Sequence, residues 1–211
     1  MPTKDPNWLA WARELQAIAQ IGLTFSQSPY DRERYEAVRN LSASMFAALS
    51  DAPPERIAEL FSRETGYATP KTDVRAAVFD DRDRVLLVRE TSDGGRWTLP
   101  GGWADVNLTA GENAVKEVLE ESGYHAKLVK LAAVWDRTRQ GHPSAVFSCY
   151  KLFFVCELVG GEAAISHETS EVGWFGEPDI PPDLSFERTL PQQIRRMFVH
   201  RRDPSLSTDF E

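Results

Sequence analysis

LPGGWADVNLTAGENAVKEVLEESGY, residues 99–124, sets a glycine turn directly before a helix rich in carboxylates. Thr109 followed by Glu112 is a capping box, so the helix is expected to start near Ala110, and Gly123 sits where a helix stops in the left-handed conformation. Glu117, Glu120 and Glu121 project from one side at about 100° per residue, with Val115, Val118, Leu119 and Ser122 opposite and free to face a core. Like charges at this spacing repel, and folding gains nothing from the arrangement. A hard divalent cation, Mg²⁺ or Mn²⁺, takes oxygen ligands and relieves the repulsion. Three glutamates alone read as a solvated acidic face. What reverses that reading is Leu99-Pro100-Gly101-Gly102, a tight turn in which backbone can approach an ion or a phosphate closely.

The same stretch resembles the Nudix box, G-x5-E-x7-R-E-U-x-E-E-x-G-U with U apolar. Gly102 matches its first position, and Glu117, Val118, Glu120, Glu121, Gly123 and Tyr124 match later ones at the family's spacing. Leu108 stands where the family has Glu, and Lys116 where it has Arg. Those two often form a structural pair in the family, so Glu112, one turn before Lys116, is expected to supply a substitute. The resemblance implies a divalent metal, Mg²⁺ or Mn²⁺, on Glu117, Glu120, Glu121 and the Gly101 carbonyl. It implies an α+β fold, an α/β/α sandwich with a mixed sheet over roughly residues 72–205. The helical opening and the GYATPKTDVR junction resemble a subgroup acting on nucleoside diphosphates linked to another group, such as CDP-choline or ADP-ribose, whose members are typically dimers.

Length and composition agree with this division. At 211 residues, with 42% hydrophobic and 10% aromatic content, the chain can fill a core and hold one average domain plus a small one. A net charge of −8 argues against broad nucleic-acid or anionic-membrane binding. Cys149 and Cys156 lie seven residues apart on one expected strand, roughly 23 Å, too far for a disulfide, which points to a reducing cytoplasm. No apolar run is long enough to span a bilayer.

Residues 1–68 read as a helical domain and 69–211 as the catalytic one. Trp8, Trp11, Leu15 and Ile18 recur at helical spacing; Tyr35, Val38, Leu41, Met45 and Leu49 form a second stripe, and Ile57, Leu60 and Phe61 a third after Pro53-Pro54. Strands are expected at 74–79, 84–89, 97–99, 126–135, 145–158 and 171–175, with the FSCYKLFFVCEL run central in its sheet. A last amphipathic helix covers 192–200, and the tail after Asp203 is expected to be loose.

Outside the box, Glu168 lies in the loop before the last strand, where some members of the family carry a further catalytic glutamate; an ordinary loop carboxylate is the alternative. Phosphate oxygens favour bidentate cations, which makes Arg75, Arg89 and Arg137 (or Arg139) candidates for substrate contact. Trp103, like Trp97 and Phe147, can stack on a base or pack in a core. His142 reads as an ordinary loop histidine before a phosphate ligand. The expected reaction is hydrolysis of a pyrophosphate linkage in a nucleotide substrate by a homodimer. Two other readings stay open: an RNA-processing phosphohydrolase using a basic patch at Arg195, Arg196, Arg201 and Arg202, and a non-catalytic ligand sensor.

Overall fold

The computed structural model describes residues 7–48 and 52–211. They form two units. One holds the helices up to Pro70 and takes in Ser144–Ser148; the other comprises Lys71–Pro143 and Cys149–Glu211.

In the helical unit, α1 (Asn7–Phe25), α2 (Pro29–Ala47) and α3 (Pro54–Ser62) bury Leu9, Ala12, Ala19, Ala43, Phe46, Ile57 and Phe61. The buried stripe of α1 is therefore one residue away from the expected one, and Trp11 and Ile18 lie outside with Phe25. Close helix approach is the cause. Ser42 Oγ donates to the Ala12 carbonyl at 2.8 Å, and a Cβ on Gly22 would fall 2.4 Å from the Tyr35 ring. Backbones this near tolerate only small side chains between them, so the bulk turns outward. Leu41 is displaced to the exposed side of α2 for the same reason; Leu49 lies outside the described residues.

The second unit is built on a six-stranded sheet. β1 (Lys71–Phe79) runs parallel to β5 (Cys149–Gly161) over nine paired residues. β2 (Val85–Glu90) meets β1 antiparallel at Phe79–Val85 and also pairs with β3 (Arg96–Thr98) and β6 (Thr169–Phe175). β4 (Tyr124–Asp136) is the outer partner of β5, so β5 is internal, as its two-faced apolarity requires. One sheet face packs Phe79, Leu87, Phe153 and Trp135 against Ile194, Met197 and Phe198 of α5 (Pro191–Arg202). The other packs Val74, Val78, Leu86 and Phe154 against Ala114 and Val118 of α4 (Ala110–Ser122). This is the expected α/β/α sandwich. Its fifth strand starts at Cys149 rather than at residue 145, because residues 144–148 belong to the helical unit.

The tail is docked rather than loose. Val134 N donates to the Asp209 carbonyl and Asp209 N to the Ala132 carbonyl, each at 2.8 Å, which adds a short parallel bridge to the open edge of β4. Lys130 Nζ reaches the Pro204 carbonyl, and Thr208 Oγ1 the Leu131 carbonyl. Asp209 is gripped by Arg196 and His200 of α5. An edge strand presents unpaired N–H and C=O groups, and their satisfaction outweighs the entropy of a free terminus.

Candidate active site

Past Phe79–Val85, β1 and β2 diverge, and the chain fills the gap with the glycine turn. Ala76 N donates to the Pro100 carbonyl (2.9 Å), Val74 N to the Gly102 carbonyl (2.8 Å) and Ala104 N to the Thr72 carbonyl (2.9 Å), so 100–104 runs along β1 like a short extra strand. Gly101 has φ +144°, and a Cβ there would sit 2.0 Å from the Val74 carbonyl oxygen; only glycine fits. The helix that follows is closed at both ends. Thr109 and Glu112 form the reciprocal capping box, and Gly123 ends α4 at φ +75°.

These supports bring Glu121 and Glu117 to the turn. Glu121, buried, accepts a hydrogen bond from Gly101 N at 2.9 Å through Oε2, and its carbonyl accepts from Thr169 Oγ1 of β6 at 2.7 Å. Gly102 lies beside Glu117: a Cβ at Gly102 would meet Glu117 Oε1 at 3.2 Å. Burial pushes the Glu121 carboxyl up to about 7, against the pull of Arg75 and of the Gly101 N–H, with Glu117 and Glu90 adding to the rise. Glu117 is also raised, first by burial and then by Glu120 and Glu168, while Lys116 and Arg75 oppose. Two carboxylates raised by burial beside a glycine turn are a hard-oxygen donor set, the chemistry that suits a divalent cation.

The third glutamate stands apart. Glu120 is exposed and its Oε2 lies 2.7 Å from Lys116 Nζ, which also reaches Asp105 Oδ2 at 3.2 Å. Among the described residues no three His, Cys, Asp or Glu side chains gather into a metal-sized group. The helical projection also needs correction. Glu121 is buried while Leu119, expected in the core, is exposed: α4 turns Ala114, Val118, Glu121 and Ser122 inward, because Glu121 must reach the turn. Nor does Glu112 pair with Lys116. Its carboxylate accepts from Thr109 N at 2.7 Å, and the capping geometry points it away from Lys116.

The other candidates fall in three groups. Arg75 is only 3% exposed; its Nε and Nη2 bind Asp73 at 3.0 and 2.7 Å, and Nη1 donates to the Leu99 carbonyl at 3.3 Å. With every nitrogen engaged and buried it does not face a substrate, and serves as the cation behind Glu117 and Glu121. Arg137 is also buried, held by the Pro143 carbonyl at 2.6 Å and by Glu187. His142 is buried between the Phe186 carbonyl (2.7 Å) and Gln193 (3.0 Å), and burial pulls it down to about 4, so it is neutral and structural. Arg89 is half-exposed, stacked over Trp97 and paired with Glu171 at 3.0 Å. Trp103 is exposed on its pinned backbone. Glu168 is exposed, 3.2 Å from His167, and close enough to raise Glu117.

Two features carry no local sequence signal. Lys151 Nζ binds Asp73 Oδ1 at 2.7 Å, completing a buried Asp73–Arg75–Lys151 network across β1 and β5. Glu90, buried at the end of β2, binds Ser92 at 2.8 Å and Arg188 at 3.2 Å, and its charge adds to the rise at Glu121. The basic patch considered for RNA is largely neutralised: Arg196, Arg201 and Arg202 pair with Asp209, Glu157, Asp83 and Glu177.

Comparison with known proteins places these features among relatives. Residues 69–196 match the NUDIX domain, and residues 6–61 match a UDP-X-like, N-terminal oligomerisation domain. YjhB of Bacillus subtilis (strain 168), which carries the provisional name ADP-ribose pyrophosphatase, is 43% identical over 97% of both chains. A crystal structure of a UDP-X diphosphatase superposes at a TM-score of 0.61 with 32% identity, covering 97% of this chain and 98% of that one. An ADP-ribose pyrophosphatase from Streptococcus suis 89-1591 gives 0.61 at 36% identity, over 68% of this chain and all of the other.

Proposed function

Because this chain belongs to the Nudix hydrolase family, we propose that it hydrolyses the pyrophosphate linkage of a nucleoside diphosphate joined to a second group, with ADP-ribose as first candidate, a UDP-sugar as second and CDP-choline as third. The observation that carries this reading is the Glu117–Glu121 pair at the Gly101–Gly102 turn. The names of the relatives favour ADP-ribose and UDP-linked substrates. Glu117, Glu121, the Gly101 carbonyl and, once freed from Lys116, Glu120 are the groups that would hold Mg²⁺ or Mn²⁺. Such a cation neutralises phosphate oxygens and lowers the pKa of a bound water.

The chain's own residues supply position and proton transfer. Gly101 N fixes the Glu121 carboxylate, and Arg75 behind it keeps excess negative charge in check. Glu168, exposed and near enough to Glu117 to raise its carboxyl, is the residue we assign to take the proton of the attacking water. Trp103 offers a face for the base, and Arg89, the half-exposed arginine of the three candidates, is the one we assign to a phosphate, which would replace its ion pairs with Glu171 and Asp183. Phosphate release from ADP-ribose, UDP-glucose, CDP-choline and NADH, coupled to alkaline phosphatase in Mg²⁺, Mn²⁺ or EDTA, tests the reading. A metal-dependent signal on one substrate is expected; silence on all four with intact metal binding would overturn it.

Among the described residues no helix is long and apolar enough to cross a membrane, and Cys149 and Cys156 are buried free cysteines. The working form we assign is a homodimer. Trp11, Ile18 and Phe25, exposed at seven-residue intervals on α1, form a stripe suited to a second helix. Sedimentation of Trp11→Glu/Ile18→Glu is expected to show monomer where the parent protein is dimeric; an unchanged dimer would place the interface elsewhere.

A further inference from the structure

Thr169 is buried, and its Oγ1 donates to the Glu121 carbonyl at 2.7 Å. That carbonyl is one of the last four of α4, which the helix itself leaves without partners; the next, at Ser122, accepts from Ala164 N at 2.9 Å. A carbonyl can only accept, so the single hydroxyl proton of Thr169 is committed to Glu121. Thr169 Oγ1 is then the acceptor for Ser166 Oγ and for Ser166 N, each at 3.1 Å. Ser166 Oγ, its own proton given to Thr169, accepts from Glu168 N at 3.1 Å and from Thr169 N at 3.2 Å. One directed run of hydrogen bonds therefore leads from the Glu168 amide through two hydroxyls to the helix that carries Glu117 and Glu121. The other end of Glu168 is fixed as well, its carbonyl accepting from Thr91 N at 2.8 Å. A bulge turns Thr169 inward. Arg89 lies opposite Glu171 and Glu90 opposite Thr169, which makes Ser170 an extra residue on β6. In a regular strand Thr169 would share the exposed face of Glu171; with the bulge it shares the face of buried Glu90.

We propose that Thr169 and Ser166 are positioning residues that hold Glu168 in a fixed place relative to the Glu117–Glu121 pair. The proposal rests on the hydrolase reading above, in which Glu168 takes the proton of the attacking water, and deepens it. Glu168 is exposed, as are Glu162–Ile165 and His167 around it. Burial does not order this stretch, so its hydrogen bonds must. The charge of Glu168 is felt at Glu117, which sets the two within electrostatic range, and a misplacement of about 1 Å at a reacting group can cost on the order of a hundredfold in rate. Capping α4 would need only the bond from Thr169 to Glu121. The Ser166 hydroxyl is no part of that cap; what it holds are the amides of Glu168 and Thr169. Both anchors are backbone groups, the Glu121 carbonyl and the Thr91 N–H. The hold therefore draws on none of the carboxylates that a cation would use.

Thr169→Val, Thr169→Ser and Ser166→Ala, each alone and combined with Glu168→Gln, are the variants to make. Hydrogen exchange by mass spectrometry is expected to show faster exchange over residues 166–169 in Thr169→Val and Ser166→Ala, and the parent rate in Thr169→Ser. With Mg²⁺, kcat for the hydrolysed nucleotide is expected to fall about tenfold in Thr169→Val and Ser166→Ala while KM stays within about twofold, and Thr169→Ser to restore it. In the Glu168→Gln background the same two substitutions are expected to cost less than about twofold more, because the group they position is gone. An equal loss in both backgrounds, or unchanged exchange over 166–169, would overturn the proposal and leave Thr169 as a cap for α4. Should Thr169→Val fail to fold, Ser166→Ala decides, since it leaves the bond to Glu121 in place. Silence of the parent protein on every nucleotide would overturn the hydrolase reading and this proposal with it; a parent that hydrolyses while the variants keep its kcat overturns the positioning alone.

Discussion

Glu121→Gln is expected to remove turnover, by on the order of a hundredfold or more, the scale of deleting one preorganised charge from a reacting centre, while the fold persists. The glutamine retains an acceptor for Gly101 N, so the turn keeps its support. The same variant has a signature in stability. The Glu121 carboxyl, ordinarily near 4.5, is held near 7 by burial. A carboxyl whose folded pKa is raised contributes stability fully present below the unfolded value and lost as pH rises through the folded one. The parent protein without divalent metal is therefore expected to lose stability between about pH 4.5 and 7, and Glu121→Gln to flatten that slope. Melting curves across this range in EDTA, paired with kcat in Mg²⁺, check both. Near-parental turnover in the variant would remove Glu121 from the centre.

Asp73→Asn is expected to be the most destabilising polar substitution in the catalytic unit, by roughly 3–5 kcal/mol, because it strands two buried cations. Asp73 is held below the usual carboxylate range: burial alone would raise it, but Arg75 and Lys151 outweigh that. Arg75 cannot shed its proton. Lys151 can, since burial already pulls it down to about 8 from its ordinary 10.5. Stability of the variant should accordingly recover in part as pH rises toward 9, when a neutral Lys151 leaves one stranded charge instead of two. Denaturant unfolding at pH 6.5 and 9 measures this; a loss under about 1 kcal/mol at both would show that water reaches the network.

Much of the site was legible because its parts are local. The capping box, the stop at Gly123 and the glycine turn are decided by residues within four positions of each other, and the structure has each where the sequence puts it. The hairpin at residues 79–85 and the internal place of β5 follow likewise from apolar runs. What escaped depends on pairs brought together by the sheet. Asp73 and Lys151 are 78 residues apart in sequence, and nothing nearby marks either as buried. Arg75 looked like a phosphate ligand because an arginine at a strand start does not announce that its partner is two residues away on the same face. Helix faces failed where small residues ruled: periodicity counts apolar side chains, whereas α1 and α2 meet through Ala12, Ser42 and Gly22.

The docked tail bears on how the protein is made. β4 is complete once residue 136 has been synthesised, but the bridge at Ala133 waits for Asp209. Through the whole interval in which β5, β6 and α5 emerge, the Val134 N–H and the Ala132 carbonyl at the outer edge of β4 lack the backbone partner that Asp209 gives them. Neighbouring ribosomes on one message hold identical copies of that edge at high local concentration. Translation pauses within this interval, and fragments cut short before residue 209, are thus the species from which co-aggregation would start.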